Sequence, residues 1–230
     1  MLVLFDIDGT LLLTANAGLD ALVAAGRDLF GPDFFAAGVV TSGGVDPGIL
    51  RELLLANGQS PDLENVARLR RRYRDRLELA LGDGRPLTVL PGVGSLLEAL
   101  SAREDVTLGL LTGNFRETGE MKLARCGLDP RRFAVGAYGC DCDFATPMRR
   151  QLPPVALARF AALERPARGR AVVIGDTPHD IDCARAHGLR SLGVATGTAS
   201  REALDHAGAD LAVRDLAQTE RVLDFLLAAS

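Results

Sequence analysis

The chain begins with Met1–Leu13, MLVLFDIDGTLLL, in which a short apolar run leads directly into two aspartates. Buried carboxylates cost desolvation energy, and neighbouring ones repel each other. Alternate residues of a strand point to the same side, so Asp6 and Asp8 can converge on one spot at the strand's carboxyl end. Gly9 permits a sharp exit from the strand, and Thr10 can bond local backbone or steady an aspartate. The alternative is that one aspartate caps a turn and the other is a surface acid.

Further apolar runs alternate with helical patterns along the rest of the chain. The runs are continuous rather than alternating, which is typical of a parallel sheet covered on both faces. The pattern predicts strands at Leu2–Phe5, Val106–Leu111, Phe133–Tyr138, Ala171–Ile174, Leu192–Ala195 and Leu211–Val213, and helices at Gly92–Ala102, Glu117–Cys126, Leu152–Leu163, Pro178–His187 and Thr219–Ala228. This order predicts an α/β fold with a doubly wound parallel sheet of the Rossmann-like type.

Residues 14–88 interrupt that rhythm with helical patterns and no strand. The clearest helix is Leu63–Leu81, whose apolar stripe includes Leu69 and Tyr73, while six arginines occupy its other faces and are interpreted as a solvated surface. We therefore predict an inserted all-α domain, here called the helical insert (residues 14–88). The α/β core would comprise residues 1–13 and 89–230.

Composition narrows the functional class. The formal net charge of −4 argues against broad nucleic-acid binding. No apolar run approaches the roughly 20 residues of a membrane span, and the first residues lack the pattern of a signal peptide, so we predict a cytoplasmic protein. Cys140 and Cys142 form a C-x-C rather than a C-x-x-C motif, and the four cysteines are interpreted as reduced thiols. The sequence does not specify an oligomeric state.

A second acidic group lies in Val172–Gly188, VVIGDTPHDIDCARAHG. Asp176 follows an apolar run and a glycine, which predicts a position at the carboxyl end of another strand. Thr177 suits a helix N-cap and Pro178 the first helical position. Asp180 then falls where a capping-box acid would lie, so it either caps the helix or joins Asp176 at the site.

A hydroxyl residue, Thr112, follows a third apolar run and precedes Gly113 and Asn114. A hydroxyl with adjacent backbone amides can hold an anionic oxygen, although a simple Thr-Gly turn is the alternative. Three carboxylates at one sheet edge need a cation, and carboxylate and carbonyl oxygens suit Mg²⁺. His179 and His187 do not have the spacing of metal ligands and are predicted to be exposed.

In this order, the stretches DIDGT, LLTGN and GDTPHD resemble motifs I, II and IV of the haloacid dehalogenase superfamily. The resemblance extends from Leu2 to about Gly197. The helical insert resembles the first type of cap in that superfamily, which encloses the site and selects the substrate. Ser42–Leu54, SGGVDPGILRELL, is similar to a cap-helix stretch of the phosphoglycolate-phosphatase-type hydrolases.

The resemblance implies a phosphatase acting on a small phosphorylated metabolite. Asp6 would be the nucleophile that forms an aspartyl phosphate, and Asp8 would be the acid and base. Mg²⁺ would be held by Asp6, the Asp8 backbone carbonyl and Asp176, with Asp180 binding it directly or through water. A separate group would bind a phosphoryl oxygen: the Thr112 hydroxyl and the Gly113 or Asn114 amide. An aspartate at position 8 favours phosphoryl transfer over dehalogenation.

The superfamily's motif III normally supplies a lysine, which offsets the negative charge of nucleophile and phosphate. The corresponding stretch here, TPMRRQLPPVAL, contains no lysine, and Arg149 aligns best, with Arg150 as the next candidate. Arginine keeps the charge but replaces a point donor with a planar fork. Lys122 is the chain's only lysine, and its surroundings, EMKLARCGL, are interpreted as an ordinary amphipathic helix.

Two further functions are compatible with these motifs. A sugar phosphomutase would use the same aspartyl phosphate, and a catalytically weak phospho-ligand-binding or regulatory protein would result if Arg149 cannot replace lysine. Substrate choice would depend on the helical insert, around Ser42–Asp46 and near Asn16. There, Gly43 and Gly44 are interpreted as a flexible loop, and Asp46 either caps the following helix or touches substrate.

Overall fold

The computed structural model describes residues 1–163 and 170–228. Its elements, in chain order, are β1 (Leu2–Phe5), β2 (Leu12–Leu13), α1 (Ala17–Phe30), α2 (Asp46–Ala56), α3 (Leu63–Ala80), β3 (Thr88–Val89), α4 (Val93–Ser101), β4 (Thr107–Leu111), α5 (Arg116–Arg125), β5 (Val135–Ala137), α6 (Leu152–Ala161), β6 (Ala171–Gly175), α7 (Pro178–Arg185), β7 (Arg190–Val194), α8 (Arg201–Ala207), β8 (Leu211–Val213) and α9 (Thr219–Leu227).

Six strands form one sheet in the order β5-β4-β1-β6-β7-β8. Every neighbouring pair is parallel, which confirms the predicted doubly wound α/β fold. The chain adds β4 and β5 on one side of β1 and then β6, β7 and β8 on the other, so the strand order reverses at β1. Ligands of open α/β sheets bind in the crevice at such a reversal. Phe5 is level with Leu110 and Ile174, so the residues that follow these three strands are neighbours.

Both faces of the sheet are covered, as the uninterrupted apolar strands predict. Because successive side chains of a strand alternate between faces, Val3 and Phe5 pack with buried residues of α4, α5 and α9. Leu2 and Leu4 pack on the other face with buried residues of α6 and α7. Burial on two sides fixes β1 in the middle of the molecule and leaves its carboxyl end as the place where functional side chains emerge.

Two features of the core were not predicted. A short antiparallel pair, β2 with β3, joins the chain where residues 14–88 begin and end, and strands of two residues are too short to show a period. Helix α8 was also missed. Its N-cap is Ser200, whose hydroxyl accepts a hydrogen bond from the Ala203 amide, and its seven residues are fewer than a periodicity window needs.

Helices α1, α2 and α3 of the helical insert form an apolar cluster, which Phe115 of the core joins. The predicted stripe of α3 is buried, including Leu69 and Tyr73. The interpretation of its arginines as merely solvated was incomplete, because Arg70 forms an ion pair with Glu117 of α5, and both Arg72 and Arg76 bond Asp28 of α1. Within the described residues, no helix has both the length and the hydropathy that crossing a membrane requires.

Candidate active site

Three buried acids meet at the carboxyl ends of β1 and β6. Carboxylate oxygens of Asp6, Asp176 and Asp180 all lie within 4.8 Å of one another. The Asp6 amide donates to Ile174 O at 2.9 Å, which continues the β1–β6 ladder up to the acid itself. The Thr10 hydroxyl donates to Asp176 Oδ1 at 3.2 Å. Of the two roles predicted for Thr10, bonding local backbone or steadying an aspartate, the structure shows the second. We call these three residues the acidic cluster.

Asp180 satisfies both predicted alternatives. Thr177 is the N-cap of α7 and Pro178 its first residue. Oδ2 of Asp180 accepts from the Thr177 amide at 3.1 Å and from the Thr177 hydroxyl at 2.7 Å, which is the capping arrangement. Its other oxygen, Oδ1, belongs to the acidic cluster. One carboxylate thus orients the helix and contributes to the site.

Close backbone approach around Asp176 requires two glycines. A Cβ at Gly9, whose φ is +77°, would lie 2.4 Å from Asp176 Oδ2, and one at Gly197 would lie 1.7 Å from the same oxygen. Both distances are far below van der Waals contact. Any larger residue at either position would displace the Asp176 carboxylate from the acidic cluster.

Arg149 lies where the motif III residue was predicted. It belongs to a short 3₁₀ helix, and its guanidinium Nη2 is 2.8 Å from Asp6 Oδ1 and 2.6 Å from Asp180 Oδ1. It is almost fully buried. Arg150 instead bonds Asp182 on the surface, with Nε 2.6 Å from Asp182 Oδ2. Of the two arginines, Arg149 is therefore the one that contacts the acids.

The electrostatic balance of the acidic cluster is unfavourable without a further cation. Burial raises the pKa of Asp6 to about 6, opposed by the attraction of Arg149 and reinforced by repulsion from Asp180. Burial and the charge of Asp6 raise the pKa of Asp176 to about 8. Burial by itself would lower the pKa of Arg149, but attraction by Asp180 and Asp6 outweighs it and raises that pKa. Arg149 thus stays charged, yet one positive charge faces three acids.

This donor set fits Mg²⁺. Carboxylate oxygens are the ligands that this hard cation prefers. Oδ1 of Asp180 is buried, and its partner among the described residues is the Arg149 guanidinium, whose Nη2 lies 2.6 Å away without hydrogen-bond geometry, so its acceptor capacity is not fully used. A cation beside the acidic cluster would satisfy that oxygen and offset the repulsion among the three carboxylates.

Asp8 lies in a different environment. Its side chain is 42% exposed. Oδ2 accepts a hydrogen bond from Lys122 Nζ at 2.6 Å and from Asn114 Nδ2 at 2.8 Å, while Lys122 Nζ also donates to Asn114 Oδ1 at 2.7 Å. We call Asp8, Asn114 and Lys122 the Asp8 triangle. Although Asp6 and Asp8 follow the same strand, Asp6 pairs with the Arg149 guanidinium and Asp8 with the Lys122 ammonium.

Interpreting Lys122 as part of an ordinary amphipathic pattern was wrong. Its side chain is only 6% exposed and points from α5 into the site. Burial by itself would lower the pKa of Lys122, but attraction by Asp8 and Asp46 outweighs burial and raises it. Two small residues about one turn before the lysine, Thr118 and Gly119, are also buried. Together with the absence of any other lysine from the sequence, they are the signal that could have identified it.

The residues predicted to bind a phosphoryl oxygen follow β4. Thr112 is fully buried, and its hydroxyl accepts from Asn114 Nδ2 at 2.8 Å. The Asn114 amide lies 3.4 Å from that hydroxyl and donates to it. Gly113 lines the same cavity as Asp6 and Arg149. The Asn114 side chain is committed to the Asp8 triangle, so the neighbouring backbone and the Thr112 hydroxyl are what this stretch can offer to an anion.

A cavity of about 450 Å³ joins the acidic cluster to the Asp8 triangle. That volume suits a small molecule. The core contributes its acids and cations, while the helical insert contributes polar and apolar side chains that include Asn16, Ser42 and Tyr73. Both parts of the chain thus line the cavity.

The predicted capping of α2 by the Asp46 side chain is wrong, and its alternative, contact with substrate, stays a prediction. Helix α2 begins at Asp46 itself, and the Asp46 side chain accepts from the Phe115 amide at 2.8 Å, at the start of α5. The Asp46 amide in turn donates to Gly113 O at 2.7 Å. Burial raises the pKa of Asp46 to about 6, opposed by Lys122 and by the Phe115 amide. Asp46 therefore lines the cavity and fastens the helical insert to the core.

The glycines before Asp46 are close-approach positions rather than merely a flexible loop. A Cβ at Gly43 would lie 2.4 Å from the His179 ring, and a Cβ at Gly113 would lie 2.0 Å from Gly44 O. His179 and His187 are exposed, as predicted. The loop that contains Ser42, Gly43 and Gly44 contacts the core at the carboxyl edge of the sheet, where Ser42 Oγ lies 3.1 Å from Thr198 Oγ1.

Comparison with known proteins assigns the family. Residues 1–188 match the family model described as haloacid dehalogenase-like hydrolase. This chain belongs to that family. It is 31% identical over 210 residues to a phosphoglycolate phosphatase from Synechococcus elongatus, a match that covers 88% of this chain and 87% of the relative. The expectation that the chain is a hydrolase of the haloacid dehalogenase type is thereby confirmed.

Solved structures show the same fold. CbbY from Rhodobacter sphaeroides in complex with phosphate superposes with a TM-score of 0.75 at 24% identity, covering 94% of this chain and 95% of that one. A CbbY variant in complex with xylulose 1,5-bisphosphate gives 0.76 at 23%, with the same coverage. A hydrolase from Pseudomonas syringae gives 0.71 at 23%, covering 98% of this chain and 99% of that one.

Proposed function

We propose that this hydrolase is a Mg²⁺-dependent phosphatase that acts on a small phosphorylated metabolite through an aspartyl phosphate. The observation that carries the proposal is the acidic cluster: three buried carboxylates that share one guanidinium at the point where the strand order reverses. Three buried carboxylates around one guanidinium are costly unless a further cation offsets their repulsion, and that cation would in turn attract a phosphate group. The 31% identical phosphoglycolate phosphatase supports a phosphate monoester as substrate.

In the first half-reaction, a carboxylate oxygen of Asp6 attacks phosphorus while the bond from phosphorus to the leaving oxygen breaks. Asp8 transfers its carboxyl proton to that oxygen, so the product leaves as an alcohol. Arg149, charged and in contact with Asp6, offsets the negative charge that gathers where the phosphoryl group meets the nucleophile. The Thr112 hydroxyl and the Gly113 amide hold a phosphoryl oxygen.

In the second half-reaction, Asp8 is ionised and takes a proton from a water molecule. That water attacks phosphorus, the bond to Asp6 breaks, and inorganic phosphate is released with both aspartates regenerated. Asp6, Asp176, Asp180 and the Asp8 backbone carbonyl would hold Mg²⁺, which supplies charge neutralisation to the phosphoryl group when bound.

The helical insert, residues 14–88, is proposed to be a cap on a core of residues 1–13 and 89–230. Three contacts hold the insert on the core. The Asp46 carboxylate accepts a hydrogen bond from the Phe115 amide, the Ser42 and Thr198 hydroxyls are hydrogen-bonded, and Arg70 forms an ion pair with Glu117. Since the cavity is lined from both sides, the substrate's leaving group would be selected by the insert. A volume of about 450 Å³ suits a metabolite of a few carbon atoms.

The test is hydrolysis of p-nitrophenyl phosphate with Mg²⁺ and with EDTA, followed by trapping. Turnover should require Mg²⁺, and borohydride added during turnover should reduce the aspartyl phosphate at residue 6 to homoserine, detected in the peptide by mass spectrometry. Asp6→Asn should give neither signal, whereas Asp182→Asn, an exposed acid paired with Arg150, should give both. Metal-independent turnover, or a trapped label on another residue, would contradict the proposal.

A further inference from the structure

Lys122 is unusual in this chain on three counts. It is the single lysine among 26 basic residues, it is almost fully buried, and it reaches the site from the middle of α5 rather than from a strand end. A buried ammonium is retained at a cost unless its partners compensate it. Its partners are Asp8 and Asn114, the first of which the proposed function uses as acid and base.

The hydrogen bonds of the Asp8 triangle close on themselves. Lys122 Nζ bonds Asp8 Oδ2 and Asn114 Oδ1, and Asn114 Nδ2 bonds the same Asp8 Oδ2. The Thr112 hydroxyl anchors the amide from behind at 2.8 Å. Every hydrogen bond that the described residues give to the Asp8 carboxyl therefore ends on one oxygen, Oδ2. The other oxygen, Oδ1, belongs to a half-exposed side chain that lines the cavity.

We propose that Lys122 is a positioning residue that fixes the Asp8 carboxyl by Oδ2, so that Oδ1 exchanges the proton in both half-reactions. The inference rests on the proposed function. In the first step, the proton on Oδ1 passes to the leaving oxygen as its bond to phosphorus breaks. In the second, Oδ1 takes a proton from the attacking water. Lys122 keeps its three protons throughout, because its part is to hold one oxygen so that the other faces the substrate.

Leaving groups of different basicity separate this role from a structural one. Phenyl phosphate and p-nitrophenyl phosphate have similar shapes, but phenoxide needs a proton in order to leave and p-nitrophenoxide hardly does. Lys122→Met should lower kcat for phenyl phosphate about 30-fold with little change in KM. In a single turnover, release of p-nitrophenol should fall less than about threefold, because general acid–base catalysis contributes 10²–10⁴-fold only where a proton must move.

The second half-reaction supplies an independent readout. Since Asp8 must still act as base, Lys122→Met should slow loss of the aspartyl phosphate and produce a burst of p-nitrophenol that the wild type lacks. Asp8→Asn should show the same preference between the two esters, and adding Lys122→Met to it should cause no further loss. Additive losses in that double variant would overturn the proposal.

Matched variants keep the test decisive. Arg125→Met removes one positive charge from an exposed position of the same helix and should change neither ester. Lys122→Arg, which keeps the charge, should recover part of the phenyl phosphate rate, and it decides the question if Lys122→Met does not fold. Equal losses on both esters would overturn the positioning role. A wild type that hydrolyses neither ester with Mg²⁺ would instead remove the proposed function, and this inference with it.

Discussion

The acidic cluster and the Asp8 triangle start from the same strand yet differ in charge balance. Asp6 joins two other acids around one guanidinium, whereas Asp8 has an ammonium and an amide. The cluster therefore carries excess negative charge, and the pKa of Asp176 rises to about 8. The triangle is internally compensated. This difference indicates that the cluster can accept a cation, whereas the hydrogen bonds of the triangle hold the Asp8 side chain in place.

Removing one acid from each group should have opposite effects on stability. In EDTA at pH 8, Asp6→Asn should raise the free energy of unfolding by about 1–2 kcal/mol, because it relieves repulsion and leaves Arg149 paired with Asp180. Asp8→Asn should lower it by about 2 kcal/mol, because Lys122 then keeps a buried charge without its main partner. Urea titration of both variants measures the difference, about 3–4 kcal/mol in total.

Asp182→Asn is the matched control, since this exposed acid lies on α7 just beyond the cluster. It should change the free energy of unfolding by less than about 0.5 kcal/mol. If Asp6→Asn destabilised the EDTA-treated protein as much as Asp8→Asn does, the two groups would not differ in charge balance.

Much of this contrast was open to prediction from local sequence. Asp6 and Asp176 each follow a buried strand, and the carboxyl ends of parallel strands meet at one edge, so their meeting follows from chain order. The position of Arg149 was predicted from its distance to the following helix. The roles assigned to these residues stay predictions until variants are measured, but the meeting of the three side chains is a finding.

Lys122 and Asp46 show why the rest could not be predicted. A lysine beside Met121 and Leu123 fits an ordinary amphipathic helix, and its being the only lysine of the sequence draws attention to it without showing that its side chain turns inward to Asp8. The Asp46 carboxylate bonds the amide of Phe115, 69 residues away. Such contacts depend on how the helical insert packs on the core, which no local periodicity specifies.

Asp46 is a buried acid that belongs to neither the acidic cluster nor the Asp8 triangle. The pH dependence of its contribution to the free energy of unfolding extends the comparison between those two groups. Its folded pKa of about 6 lies above the ordinary value of about 3.9, so the folded protein holds this proton more tightly than the unfolded chain does. Its contribution to stability is therefore present below about pH 4 and is lost as the pH rises through 6. Relative to Asp46→Asn, the wild type should lose up to about 3 kcal/mol over that window.

Unfolding titrations of both proteins at pH 4, 5, 6 and 7 measure this loss. Asp182 should contribute to stability with the opposite pH dependence, because a hydrogen bond from Arg150 lowers the pKa of the Asp182 carboxyl. The wild type should therefore not lose stability relative to Asp182→Asn over the same window. A stability difference between wild type and Asp46→Asn that does not change with pH would show that the Lys122 ammonium and the Phe115 amide offset the burial of Asp46 completely.

The smallest expected effect is the stabilisation of the folded protein by Mg²⁺. It distinguishes the acids of the acidic cluster from Asp46, which is also buried in the cavity. Mg²⁺ at ten times its dissociation constant should raise the free energy of unfolding of the wild type by about 1.4 kcal/mol, because a ligand that binds only the folded state stabilises it by mass action. Asp176→Asn should lose this response, since it removes an acid of the cluster. Asp46→Asn should keep it, although Asp46 is equally buried and lines the same cavity. Thermal unfolding of the three proteins with and without Mg²⁺ measures this response. An equal response in all three would mean that Mg²⁺ binds outside the acidic cluster and does not offset the cluster's excess negative charge.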